Sequence, residues 1–65
     1  MAENLGPSAD HLQPEYEEKY NAWRALVLAT PNGVNTYQIA TVYADTEAEA
    51  ERRAIAVAKA LEPFV

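Results

Sequence analysis

The sequence contains no cysteine, two glycines and one histidine. Without cysteine it forms no disulfide and no thiolate metal site, and a single histidine does not make a zinc site. Gly6 and Gly33 lie far apart, so the chain has no glycine-rich phosphate loop. These absences lead us to expect a protein that is not an enzyme and has no catalytic residues, no cofactor and no bound metal.

Basic residues are also scarce, because five lysines and arginines stand against ten acidic residues, for a formal net charge of -5. This charge repels nucleic-acid phosphates and anionic lipid headgroups at long range. No apolar stretch approaches the ~18 residues of a membrane-spanning helix, and no secretion signal is recognisable. We therefore expect a cytoplasmic protein that binds neither nucleic acid nor membrane.

The small size of the chain favours self-association. Sixty-five residues form one domain at most, and a domain of that size buries only about 60% of the surface that its unfolded chain exposes. Small domains usually gain the missing stability from disulfides, metals or partner subunits. Since the composition excludes the first two, we expect a homo-oligomer, most simply a dimer.

The N-terminal segment has few large apolar side chains, chiefly Leu5 and Leu12. Burial there does not offset the entropy lost on ordering, so we predict a flexible tail over residues 1–14 and a single domain over residues 15–65. Pro14 suits the first position of a helix, and the acidic residues after it suit the positive end of the helix dipole. A short helix through Asn21 is therefore predicted.

The apolar run over residues 23–29 fits either a strand or the end of a helix that begins at Pro14. Asn32 and Gly33 favour a hairpin, because both accept the positive φ of a tight turn and β-rich sequence follows. If these two residues form the turn, Leu28 lies opposite Tyr37. The alternation of side chains along each strand then assigns the other residues to one sheet face or the other. One predicted face carries Leu26, Leu28, Tyr37, Ile39 and Tyr43, and the other carries Trp23, Ala25, Val27, Ala40 and Val42.

A C-terminal helix completes a predicted α+β fold, a small ββα unit. Thr46 and Glu49 have the spacing of a capping box, and Pro63 marks the end of the helix. The packing side carries Ala50, Ala54, Val57, Ala58 and Leu61. One helix cannot cover two apolar sheet faces, so we expect an oligomer or partner interface. Its candidate residues are Trp23, Leu26, Leu28, Tyr37, Ile39, Tyr43 and Ile55, the last on the outer side of the helix.

Charged residues suggest two further surfaces. Glu47, Glu49 and Glu51 stabilise the start of the helix and are also our candidates for an acidic binding face. Arg24, Arg52 and Arg53 are candidate anion contacts, because a two-fold axis can bring the basic residues of two copies together. His11 lies in the predicted tail and is expected to be solvated.

The segment YQIATVY at residues 37–43, followed by an acidic turn and an alanine-rich helix, resembles small uncharacterised proteins of tailed phages and prophages. These have a tryptophan-bearing first strand and a second strand of the form IA-x-VY. The resemblance spans residues 23–61, and Arg52, Arg53 and Lys59 depart from it. The resemblance implies a phage or prophage origin and no particular activity. Small acidic phage proteins without catalytic residues often bind and block a host protein, as anti-CRISPR proteins do.

These observations lead us to expect a phage accessory protein that inhibits a host defence component by protein–protein binding. One alternative is an oligomer that sequesters a small anionic ligand, such as a nucleotide signal, through its arginines. Another is a structural or assembly protein without independent activity.

Overall fold

The computed structural model describes residues 8–65, so the first half of the predicted tail lies outside the described residues. The fold is α+β, as predicted, with a four-stranded antiparallel sheet and one C-terminal helix. No helix within residues 8–65 is long and apolar enough to cross a membrane. The elements are β1 (Ser8–His11), β2 (Glu15–Glu17), β3 (Ala22–Thr30), β4 (Tyr37–Ala44) and α1 (Glu47–Leu61), which ends in a 3-10 turn over Glu62–Phe64.

Strand β3 is the centre of the sheet. Strand β4 pairs with one of its edges, and β1 and β2 follow each other along the opposite edge. His11 opposes Val27 and Glu15 opposes Arg24, so four steps along the edge strand span three steps of β3. The extra residue lies next to Pro14, which is buried and has no N–H to donate to a ladder.

The predictions for residues 8–21 are wrong. The part of the predicted tail that the structure describes contains strand β1, and the segment predicted as a short helix contains strand β2 and a turn. Main-chain pairing with β3 orders this segment, although it offers few apolar side chains to a core. The turn closes at Asn21, whose φ of 52° is a left-handed conformation that asparagine tolerates.

The predicted hairpin between β3 and β4 is confirmed, whereas its register is wrong. Asn32 and Gly33 lie within a six-residue loop, in which the Asn32 side chain accepts from the backbone N–H groups of Val34 and Asn35 at 2.9 Å each. Gly33 has a φ of 75°, as expected of a turn glycine. Ala29 opposes Tyr37, so the pairing next to the loop is displaced by one residue from the predicted one.

An irregularity between Val27 and Leu28 displaces the register by one residue more. Leu28 opposes Gln38 on the loop side of this irregularity, and beyond it Leu26 opposes Thr41 and Arg24 opposes Tyr43. Tyr37 is affected by the first displacement alone, so it moves from the face of Leu26 and Leu28 to the other face. Tyr43 is affected by both displacements, which cancel, so it lies on the face of the leucines as predicted. Tyr37 and Ile39 were predicted on that face, and the structure places Tyr37 opposite Ala29 and Ile39 at the irregularity.

Helix α1 packs on the other face through very small side chains. Thr46 caps the helix by accepting from the backbone N–H of Glu49 at 3.1 Å, as predicted. The Glu49 carboxylate, which in a capping box accepts from the backbone N–H of the cap residue, accepts instead from Arg52 and Arg53. The predicted stripe is confirmed, because its alanines are buried against the sheet while Val57 and Leu61 are half-buried. The buried core consists of Ala25, Val27, Ala44, Ala50, Ala54 and Ala58.

Because this contact depends on alanine, a larger side chain at Ala54 should push the helix off the sheet. Ala54 is completely buried, whereas Ala60 lies exposed on the same helix. We expect Ala54→Leu to lower the free energy of unfolding by about 1–3 kcal/mol, the usual cost of overpacking. Urea denaturation measures this change, with Ala60→Leu as the matched control. Equal effects of the two substitutions would contradict the described packing.

Candidate functional site

The sheet face turned away from α1 has no helix packed on it within residues 8–65, and we call it the open face. Leu26 and Leu28 lie there, because they alternate along β3 with the buried Ala25, Val27 and Ala29. Leu12 joins them, since its backbone N–H donates to the carbonyl of Leu26 at 3.0 Å. Leu12 is 49% exposed and Tyr43 is 40% exposed. The open face therefore presents an apolar strip formed by β3, β4 and the residue that follows β1.

A small concavity lies in this strip, beside the interruption between β1 and β2. Its volume is about 70 Å³, and Leu12 and Leu26 form its apolar part. Gln13, Glu15 and Arg24 form its polar border. A volume of this size accommodates part of one side chain, with an apolar stem against the leucines and a polar end at the border.

Carboxylates dominate the charge of the open face. Arg24 Nη1 lies 3.0 Å from Glu17 Oε1, and Arg24 Nη2 lies 3.9 Å from Glu15 Oε1. Glu15 is the looser partner, since its side chain is 80% exposed. Asp10 opposes Leu28 and adds a third carboxylate to the same face. One guanidinium among three carboxylates leaves this surface suited to a positively charged group.

Aromatic rings close one end of the open face. The rings of Tyr20 and Tyr43 meet edge to face with centroids 5.5 Å apart, and the Lys19 ammonium lies 5.6 Å from the Tyr20 ring centre. Tyr20 is 57% exposed. Tyrosines of this kind, with an apolar ring and a polar tip, are enriched at protein–protein interfaces.

The structure separates the predicted interface residues. Leu26, Leu28 and Tyr43 lie together on the open face, whereas Trp23 lies on the helix side, edge to face with Tyr16 at 5.6 Å between centroids. Ile55 is exposed on the outer side of α1, as predicted. Ile39 lines a second, mainly apolar cavity of about 330 Å³ at the end of the helix. That cavity is bordered by Ala29, Pro31, Ile39, Leu61, Phe64 and Val65.

The three glutamates predicted as an acidic face have different neighbours in the structure. Glu49 is neutralised by the guanidinium groups of Arg52 and Arg53. Glu51 Oε2 lies 3.7 Å from His11 Nε2, and Glu47 is exposed at the first turn of α1. His11 is therefore half-buried under the helix and not solvated in a tail, because β1 holds it beside α1.

Leu12, Tyr20 and the carboxylates of β1 and β2 were not predicted as site residues from the sequence. Asp10 and Leu12 are two residues apart, a spacing that places both on one face of a strand. Four residues are too few to distinguish this spacing from chance, and Pro14 obscured it further. A strand that is ordered by pairing with its neighbour leaves little signal in its own sequence.

Comparisons with protein-family models, with curated proteins and with solved structures find no significant match to this chain. The resemblance to phage proteins therefore stays a prediction. Within residues 8–65, no group of three or more histidine, cysteine, aspartate or glutamate side chains is arranged to hold a metal ion.

The candidate anion contacts are already bound to carboxylates. Arg24 binds Glu17, Arg52 binds Glu49, and Arg53 binds Glu49 and the carbonyl of Tyr43 at 2.7 Å. We therefore expect isothermal titration calorimetry with a panel of mono-, di- and cyclic nucleotides to give no binding heat. Saturable heat that disappears in Arg24→Gln or Arg53→Gln would contradict this expectation and favour the ligand-sequestering alternative.

Proposed function

We propose that the protein acts by protein–protein binding, and that the open face contacts a partner surface that combines apolar side chains with lysine or arginine. The observation that carries this proposal is the strip of exposed Leu12 and Tyr43 and half-buried Leu26 and Leu28, which lies beside three carboxylates. Isolated exposed apolar residues need no explanation, whereas several apolar side chains grouped on one sheet face are typical of an interaction site.

The charges support a basic partner over a second copy of the same face. Two copies stacked open face to open face would bring their carboxylates together in a chain whose formal net charge is already -5. A lysine or arginine of a partner would instead place its aliphatic stem on Leu12 and Leu26 and its charge at Glu15. Charge complementarity of this kind accelerates association and selects the partner.

The resemblance to phage proteins suggests which partner this is. We propose that the chain is a phage or prophage accessory protein that inhibits a host defence component, such as a CRISPR effector, in the host cytoplasm. Effectors of this kind bind nucleic acid through basic surfaces. An acidic protein that occupies such a surface would block it, without needing catalytic residues or a cofactor.

Phage plating tests the proposal with a matched pair of charge reversals. Expressed in a strain whose CRISPR system targets the infecting phage, the protein should raise plating efficiency, and have no effect in a strain without that system. Glu15→Lys should abolish the gain because it repels a basic partner, whereas Glu47→Lys makes the same change in net charge on α1 and should keep the gain. No gain from the unaltered protein would reject the inhibitor proposal for that effector.

Binding to the purified effector separates the apolar contribution from the charge. Leu12→Gln removes an exposed leucine from the open face, and Ile55→Gln removes a similarly exposed residue from the outer side of α1. We expect Leu12→Gln to weaken binding about tenfold, or ~1.4 kcal/mol, because a partner side chain loses its apolar contact. Ile55→Gln should leave the affinity unchanged. The reverse order would assign the contact to the helix instead.

A further inference from the structure

The two edges of the sheet are built differently. The β1 and β2 edge is interrupted beside Pro14 and carries Asp10, Glu15 and Glu17. Proline, charge and irregularity are the usual means of preventing an edge strand from pairing with another chain. Strand β4 forms the other edge. Within residues 8–65 it pairs with β3 alone, and its eight residues include no charged residue and no proline.

We propose that a second copy of this chain pairs with the free edge of β4, antiparallel and centred on Val42. This inference is independent of the proposed function, because it concerns the edge of the sheet and not the open face. The partner is a second copy because β4 carries no charged residue. Although the chain has a net charge of -5, two copies can meet at this edge without placing like charges opposite each other on the strands.

The register follows from where β4 is regular. The irregularity opposite Val27 and Leu28 involves Ile39, so regular pairing with β3 runs from Ala40 to Ala44. The midpoint of that stretch is Val42. A two-fold axis perpendicular to the sheet at this point pairs Val42 with itself and Thr41 with Tyr43 of the second copy, while Ala40 opposes Ala44. Both helices then lie on the same side of an extended sheet.

The side chains at this seam complement one another. Thr41 and Tyr43 lie on the open face, where a cross-strand pair of a β-branched and an aromatic residue is favourable. On the helix side the facing residues are Val42, Ala40 and Ala44, which are small enough to meet beside two helices. Arg53 donates to the Tyr43 carbonyl at 2.7 Å, and a carbonyl oxygen has a second lone pair for an additional hydrogen bond.

This pairing would join two open faces into one continuous surface. Tyr43 of each copy would lie next to the seam, so the apolar strips of both copies would extend outward from it. A partner with repeated or extended basic surface would then contact both strips at once, which raises the overall affinity without any new type of contact.

Cysteine cross-linking tests the register directly, because the natural chain contains no cysteine to interfere. In Val42→Cys the two introduced thiols face each other, at the ~4.5–5.5 Å between Cα atoms that a disulfide accepts. In Thr41→Cys the thiols are diagonal neighbours at ~7–8 Å, beyond that range. After mild oxidation we expect Val42→Cys to run as a dimer on non-reducing gels, and Thr41→Cys to remain a monomer.

Light scattering on the unaltered protein supplies the second readout. We expect the mass to rise with concentration from 7.2 kDa towards twice that value. The double substitution Thr41→Glu with Tyr43→Glu places like charges opposite each other and should keep the mass at one copy. Thr41→Lys with Tyr43→Glu places opposite charges there and should restore the dimer.

Either of two results would overturn the inference. One is a mass of one copy at every concentration, together with no cross-link in Val42→Cys. The other is a dimer that cross-links through Leu12→Cys on the open face and not through Val42→Cys. Circular dichroism of each variant confirms that its fold is retained. The plating assay of the proposed function uses neither Val42 nor Thr41, so failure of one proposal is distinguishable from failure of the other.

Discussion

The structure depends on one contact, the packing of alanines in α1 against the small residues of β3. Ala50 and Ala54 are fully buried against Ala25 and Val27, so the helix axis lies close to the sheet. The helix is roughly 22 Å long, while β3 extends over roughly 30 Å. One such helix covers the middle of one sheet face. The Tyr16 and Trp23 rings lie at the end of that face where β3 begins, and the cavity at Phe64 lies at the other end.

The same contact explains why an apolar surface remains. With a single helix the second sheet face has no cover among residues 8–65, and strand alternation nevertheless places Leu26 and Leu28 on it. In a monomeric domain such positions are normally polar on the solvated face of an antiparallel sheet. Here the leucines lie beside Asp10, Glu15 and Glu17, a combination that favours binding of a surface with basic and apolar groups.

The sequence predicted the parts of this fold that have strong local patterns. The capping residue Thr46, the alanine stripe of α1 and the β3–β4 hairpin follow from periodicity and turn chemistry, and all three are present. The excess of apolar surface over what one helix can cover was also predictable, because it needs only the alternation along β3. That excess identified Leu26, Leu28 and Tyr43 as surface candidates.

Features that depend on pairing between strands were not predictable in the same way. The register of β4 changed because the Asn32 side chain organises a six-residue loop and because Ile39 adds a residue to the strand. Each displacement reverses the faces, which is why Tyr37 was misplaced and Tyr43 was not. Strands β1 and β2 were missed because β3 orders them, and Leu12, Glu15 and Glu17 of the open face were missed with them.

The arrangement on which the rest depends is a helix α1 that covers one sheet face and leaves the other exposed. Nuclear magnetic resonance with a soluble paramagnetic probe tests it at single residues. We expect strong relaxation of the methyl groups of Leu12 and Leu26 and little relaxation of those of Ala25 and Val27. Equal protection of all four residues, or stronger relaxation at Ala25 and Val27, would contradict it.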